Sequence, residues 1–374
     1  MKKLVANILL TFIILLTSTL SYADNEPLES ARKISLNQAI EEAIKNSTQV
    51  KVIDLDIQIK EIELDKAKHK EKKYEDVKDY GFSLGTVQGF QLDANMLSKQ
   101  AEYGLEEEKI KKNYLKEDIK YNVTRAYYGV LQLRDYKNAS KDNLENVQRN
   151  RDNVNNKYGL GVASKSDLVM ADISLNEAKA NFEKAKIDLE KTYRSLNMIL
   201  NYPLSTKLEL ISNFEEQSFN KDLDKDLNKA YESRFDIIKM NHNHELVKLD
   251  FETNSIKYPS NTYKYKTKER NLAKIKSVVQ DIKKSVEFDI RGKYDNVENQ
   301  KKQIELAKTT VEKAKEGVKI KESLYDAKMG TLLEVDNALN QLYKAQVALS
   351  RAVSNYNLAV IDYEKSVNIG KINN

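Results

Sequence analysis

The chain has 374 residues, of which 32% are charged and 40% fall in the hydrophobic class, with only 3 prolines. That balance reads as long helices with narrow apolar stripes and excludes a compact sphere around one thick core. The net charge is only +5, which gives no strong pull on nucleic acid, and the lack of cysteine excludes disulfides, thiol chemistry and a cysteine-linked lipid anchor.

Lys2 and Lys3 precede an apolar run from Leu4 to Leu20, and Ser21-Tyr22-Ala23 follows as a small-x-small site. This layout predicts a secretory signal peptide over residues 1–23. The competing reading is an uncleaved anchor, for which the run is short against the roughly 20 residues of a span. No proline occurs between Leu28 and Tyr202, so helices there meet no obstacle. A first rod is predicted from Leu97 to Lys157, on the row Ala126, Leu133, Ser140, Val147, Val154. Tyr158-Gly159-Leu160-Gly161 ends it, since glycine just past a helix end is the expected stop. A returning helix carries Leu168, Leu175, Phe182, Leu189 and Leu196, with Ala171, Ala178 and Ala185 in a second row. Asn201-Tyr202-Pro203 closes this half, and Leu204 to Gln217 is irregular apart from a short alternating piece around Lys207 to Ile211.

A second rod is predicted from Lys268 to Lys328, on Ile290, Val297, Ile304, Val311, Val318 and Tyr325. Met329-Gly330-Thr331 ends it. The last helix has a stripe through Val335, Leu339, Leu342, Gln346, Leu349, Val353, Tyr356, Val360, Tyr363 and Val367, with Gln346 its one polar member, flanked by Ala338, Ala345, Ala352 and Ala359. Each rod is about 90 Å long. Alternating spacings of three and four imply left-handed supercoiling. Two apolar rows on one helix require two neighbouring helices, as in a ring.

The halves repeat. Leu36-Asn37-Gln38-Ala39 matches Leu227-Asn228-Lys229-Ala230, Tyr127 matches Tyr294, and Tyr158 matches Tyr325. Gly161 with Asp167 is paired with Gly330 and Asp336, six residues apart in both. The expected organisation is a first helical hairpin repeat over 24–203, a connector over 204–221 and a second hairpin repeat over 222–374. The expected fold is mainly all-α, built of long antiparallel coiled-coil hairpins in two tandem repeats. Neither half buries its stripes alone, so the two stack on each other or on further copies.

The segments Tyr158…Gly161-Val162-Ala163-Ser164-Lys165-Ser166-Asp167-Leu168 and Tyr325…Gly330-Thr331-Leu332-Leu333-Glu334-Val335-Asp336 resemble the two hairpin tips of TolC-like outer-membrane efflux proteins. The half-starts at Ser35 and Ala230 are similar to that family's as well, and the resemblance covers roughly Ile34 to Gly370. It implies a homotrimer whose helices form a hollow cylinder, an α-barrel, anchored in the outer membrane by a β-barrel. It also implies that a periplasmic adaptor protein and an inner-membrane pump dock at the tips. The docking role is carried over to Gly161, Val162, Ala163, Ser164, Gly330, Thr331, Leu332 and Leu333, and a pore-gating role to Asp167 and Asp336.

The residues depart from the family at the barrel. The family places two strands in each half between the first helix and the rod, and a membrane strand needs about 9–11 residues. The first insert, Asp79 to Gln91, can hold one strand or a short hairpin. The second, Tyr258 to Thr267, contains Pro259 and cannot hold two spanning strands. The expected barrel is therefore missing or rudimentary, since only a closed barrel crosses a bilayer as strands.

Simpler readings stand beside these. Asp167 and Asp336 are also explained as first-turn acids facing the helix dipole, and the tip glycines as plain helix stops. His242 and His244 are two apart on a helix and so face different ways, unlike the i, i+4 pair of a helical zinc site. No catalytic constellation, phosphate loop or dinucleotide motif occurs, so neither an enzyme nor a cofactor is expected. The expected function is the outer tunnel of a three-part efflux or secretion system. The alternative is an exported, non-conducting coiled-coil scaffold of the cell envelope.

Overall fold

The computed structural model describes residues 31–81, 85–212 and 215–370; the signal peptide expected over 1–23 lies outside the described residues. In chain order the elements are β1 (Arg32–Ile34), α1 (Leu36–Asn46), α2 (Thr48–Asp79), α3 (Val87–Asp93), α4 (Met96–Gly159), α5 (Lys165–Ile199) and β2 (Leu208–Leu210). The second half follows with α6 (Leu223–Ser233), α7 (Phe235–Lys257), α8 (Tyr263–Asp326) and α9 (Leu332–Asn368). The predominantly helical fold expected from the heptad rows is the one observed.

The two rods, α4 and α8, have 64 residues each, about 96 Å at 1.5 Å per residue. Their apolar rows are buried: Ser140, Val147 and Val154 on α4, and Ile290, Val297, Ile304, Val311 and Val318 on α8. The returning helices lie antiparallel along them. On α9 both rows are covered within the chain, because α8 and α4 flank it on two sides. The alanines Ala338, Ala345, Ala352 and Ala359 are all buried, as expected where small side chains let helix axes approach.

Each half starts from a capped short helix. Ser35 caps α1 with a reciprocal bond to Gln38, a capping box that satisfies two otherwise unpaired N–H groups. Asp222 caps α6. The two strands pair in parallel, Arg32 with Leu208 and Ile34 with Leu210. They form a strap across α4. The alternation near Lys207 to Ile211 is thus a strand, while its partner, three residues long, carries no readable alternation. The Tyr127 hydroxyl, fully buried, donates to the Ile34 carbonyl (3.0 Å) and accepts from the Ser212 N–H (3.1 Å).

The second half has its own fastener. Arg234, between α6 and α7, is 2% exposed. It holds Asp236 with two bonds (3.0 and 2.6 Å), Asp289 on α8 (3.1 Å) and the Ser366 carbonyl on α9 (3.1 Å). Gly370, at φ +72°, packs on its guanidinium, where a Cβ would sit 2.4 Å from Nε.

The inserts are helical reversals. α2 runs to Asp79, Gly81 turns at φ +86°, and the chain re-enters helix at α3, capped by Thr86. The strand or hairpin expected over Asp79 to Gln91 is absent among the described residues. The physical reason is local, because Thr86 accepts from the Gly89 N–H (3.2 Å) and starts a helical turn. In the second insert Thr262 N–H donates to the Pro259 carbonyl (3.0 Å). Thr262 also caps α8, so the rod begins at Tyr263, five residues before the expected Lys268. No helix among the described residues is long and apolar enough to cross a membrane.

Candidate functional site: the hairpin tips and the opposite reversals

The first tip is a complete Schellman turn. Leu160 follows the last residue of α4, and Gly161 takes φ +73°. Val162 N–H donates to the Lys157 carbonyl (2.9 Å) and Gly161 N–H to the Tyr158 carbonyl (2.9 Å). These bonds satisfy carbonyls left open at a helix end. Ser164 then caps α5, and Asp167 accepts from the Ser164 N–H (2.9 Å) while Ser164 accepts from the Asp167 N–H (3.1 Å). Asp167 is a capping residue by geometry.

The second tip repeats this, residue for residue, at a constant offset. Met96 corresponds to Tyr263 and Gly159 to Asp326, 167 positions apart in each case. Carried through the turn, Gly161 corresponds to Lys328, Ser164 to Thr331 and Asp167 to Glu334. The bonds agree: Met329 N–H donates to the Leu324 carbonyl (2.8 Å) and Lys328 N–H to the Tyr325 carbonyl (3.1 Å). Thr331 and Glu334 form the capping box. The pairing of Gly161 with Gly330 and of Asp167 with Asp336 is therefore replaced by a register two residues shorter.

The left-handed position of the second tip falls on Lys328, at φ +60°, where a side chain costs about 1 kcal/mol. Lys328→Gly is expected to stabilise the protein by up to about 1 kcal/mol, and Gly161→Ala to destabilise it by about as much, both read from urea midpoints. Gly330 serves another need. A Cβ there would lie 3.3 Å from Leu324 Cβ and 3.4 Å from the Tyr325 nitrogen.

The predicted docking residues divide by exposure. Leu332 is 4% exposed and belongs to a core cluster with Val154, Leu168 and Ala171. Leu333 is 56% exposed, and Leu160 and Met329 are 79% and 77% exposed. Val162 is also exposed, Gly161, Ser164 and Thr331 lie on the surface, and Ala163 is half-buried. The tips are bridged by Lys157, whose Nζ lies 4.0 Å above the Tyr325 ring and 3.2 Å from Asp326.

Asp336 is not at the turn surface. It is buried among α4, α5 and α9, accepting from Asn150 Nδ2 (2.9 Å) and Ser174 Oγ (2.9 Å). Burial raises its pKa above 3.8, and these two bonds only partly oppose the shift. A carboxyl with a raised folded-state pKa contributes its full stability below the unfolded value and loses it as pH rises through the folded value. Asp336→Asn is therefore expected to gain on the parent as pH rises from 3 to 7, measured as the difference in urea midpoint. Glu334 behaves oppositely: the bond from the Thr331 N–H and the nearby Lys321 hold it below the usual carboxylate range.

At the far end of the rods the two reversals meet. Lys257 Nζ donates to the Gly85 carbonyl (3.4 Å), and Gln91 Nε2 to Asp250 (3.2 Å). Lys264 donates to the Tyr258 hydroxyl (3.1 Å) and lies 4.6 Å from its ring, which draws the Tyr258 pKa down. Tyr263 is 92% exposed and Tyr80 84% exposed.

No protein-family model and no curated protein matches the chain by sequence. Solved structures match it along most of its length. A membrane protein from Pseudomonas aeruginosa superposes with a TM-score of 0.72 at 10% identity, covering 90% of each chain. The outer membrane channel CmeC of Campylobacter jejuni gives 0.64 at 13% identity, covering 89% of this chain and 85% of that one. The outer membrane channel MtrE of Neisseria gonorrhoeae, in its open state, gives 0.64 at 14% identity, covering 90% and 89%. The chain has the TolC-like fold.

Within this TolC-like frame, one cluster escaped the sequence reading. His242 on α7 stacks on Tyr103 of α4, with ring centroids 4.0 Å apart, and its Nδ1 lies 3.1 Å from Glu107. It fastens the halves together near the reversals. The i, i+4 spacing of Tyr103 and Glu107 marks a shared helix face, but nothing in the sequence points that face at α7. Among the described residues no group of three or more His, Asp and Glu is placed to hold a metal ion.

Proposed function

We propose that the chain is the outer tunnel component of a tripartite efflux or secretion system. It assembles as a homotrimer in the cell envelope, with its hairpin tips docking to a periplasmic adaptor and an inner-membrane pump. The observation that carries this reading is the match in fold, along about nine-tenths of the chain, to proteins described as outer membrane channels. Those neighbours are channels, which also speaks against an enzyme.

A stripe on α2 supports assembly. Val52, Leu55, Ile59 and Ile62 are spaced three, four and three residues apart, and each is more than half exposed. This is a coiled-coil seam with no partner in the monomer, and a neighbouring copy supplies one. The tips support docking through the exposed Leu160, Val162, Met329 and Leu333, while Leu332 is withdrawn into the core.

The test is the mass of the purified protein in solution, by light scattering after gel filtration, beside Ile59→Glu. A trimer that the substitution dissociates supports the tunnel. A stable monomer overturns it and leaves the non-conducting scaffold, the reading favoured by the lack of strands in the inserts among the described residues.

A further inference from the structure

The second reversal concentrates the charge of the chain. Residues 255–276 contain seven Lys and Arg against one acid, Glu269, a net of +6 where the whole chain carries +5. Lys268 is paired with Asp250 (2.5 Å). Lys257, Lys264, Lys266, Arg270, Lys274 and Lys276 make no ion pair among the described residues. The facing reversal does not cancel this charge. Over residues 70–81 its lysines and acids balance; Lys78 already holds Asp93 (2.6 Å) and Glu71 accepts from the Leu97 and Ser98 N–H groups, leaving Glu75, Asp76 and Asp79 as the acids of that segment. Exposed among these cations are Tyr263, Tyr80 and Ile256. This end lies a full rod length, about 96 Å, from the hairpin tips.

Basic side chains around exposed tyrosines suit one kind of surface. Tyrosine prefers the boundary between lipid tails and water. Lysine and arginine near an anionic leaflet each gain about fivefold in binding. We infer that this end of the molecule binds the surface of an anionic lipid bilayer without crossing it. Lys257, Lys264, Lys266 and Arg270 lie against headgroup phosphates, and Tyr263 and Tyr80 sit at the interface. Lys274 and Lys276 lie about 17 and 20 Å along α8 from Tyr263, two Debye lengths or more at physiological salt, where one is about 8 Å, and add little. The contact is independent of whether the assembly conducts.

The test is co-sedimentation of the purified protein with phosphatidylcholine vesicles, with and without phosphatidylglycerol. Binding is expected only with phosphatidylglycerol, and is expected to weaken with salt. The triple variant Lys264→Gln, Lys266→Gln, Arg270→Gln is expected to lose about 100-fold in binding, with its unfolding midpoint little changed because these side chains are exposed and make no ion pair among the described residues. Lys179→Gln, Lys184→Gln, Lys191→Gln on α5 removes the same charge elsewhere and is expected to bind as the parent does. Tyr263→Ser is expected to weaken binding several-fold at every salt concentration. Equal binding to both vesicle types overturns the inference, as does an equal loss in the two triple variants. Failure to bind either vesicle overturns it too, and binding to heparin alone would reassign the end to a soluble polyanion.

Discussion

Arg234→Ala is expected to cost about 3 kcal/mol of folding stability, the low end of the range for breaking a buried ion pair, because it leaves two half-buried carboxylates with less compensation rather than merely removing a bond. The guanidinium is 2% exposed and bonded to Asp236, Asp289 and the Ser366 carbonyl. It joins the start of α7, the middle of α8 and the end of α9. Without it, Asp236 and Asp289 keep their charge with less compensation, and the space over Gly370 opens. A second variant separates charge from packing. Arg234→Met with Asp236→Asn and Asp289→Asn refills the volume and removes both charges, so it is expected to recover much of the loss. Denaturant unfolding of the three proteins checks this. If Arg234→Ala alone lies within about 1 kcal/mol of the parent, the junction is not the fastener described here.

Tyr127 is expected to show the other large effect, divisible into two parts. Tyr127→Ala removes a fully buried ring and is expected to cost about 3–5 kcal/mol, mostly from the cavity. Tyr127→Phe keeps the ring and removes only the hydroxyl. It leaves the Ser212 N–H unpaired and the Ile34 carbonyl with only its bond from the Ile211 N–H (3.2 Å), for an expected cost of about 1–3 kcal/mol. Hydrogen exchange locates the difference. In Tyr127→Phe the amides of Arg32 to Ile34 and Leu208 to Ser212 are expected to lose protection, while the α4 amides keep theirs. Uniform loss along α4 would mean that the hydroxyl supports the rod and not the strap.

The rods, the returning helices and their seams were legible because coiled-coil packing writes its period directly into the sequence. Ile290, Val297 and Ile304 recur every seven residues, and all three are fully buried. The tips were legible in kind but shifted in register. Glycine just past the rod reads as the stop at both tips, yet in the second tip the left-handed position is Lys328, and Gly330 is small because Leu324 and Tyr325 crowd it. A better signal was present in the capping boxes, Ser164 with Asp167 and Thr331 with Glu334, whose shared spacing sets the true offset. The burial of Asp336 was not legible, since it depends on Asn150 and Ser174 arriving from two other helices. The strap was half legible, because a three-residue strand is too short to show a period.

The unbroken offset of 167 residues from the first residue of each rod to the cap beyond it makes the pair a matched gauge. A single-residue insertion in one rod turns everything beyond it by about 100° and moves its tip by about 1.5 Å. The Lys157 bridge to Tyr325 would then miss its target. A seven-residue insertion restores the phase but leaves one tip about 10 Å proud of the other. Length is therefore free to change only in whole heptads and in both rods together, or in the reversals, where α3 has no counterpart in the second half. Growth of this molecule is quantised along its axis and open at one end.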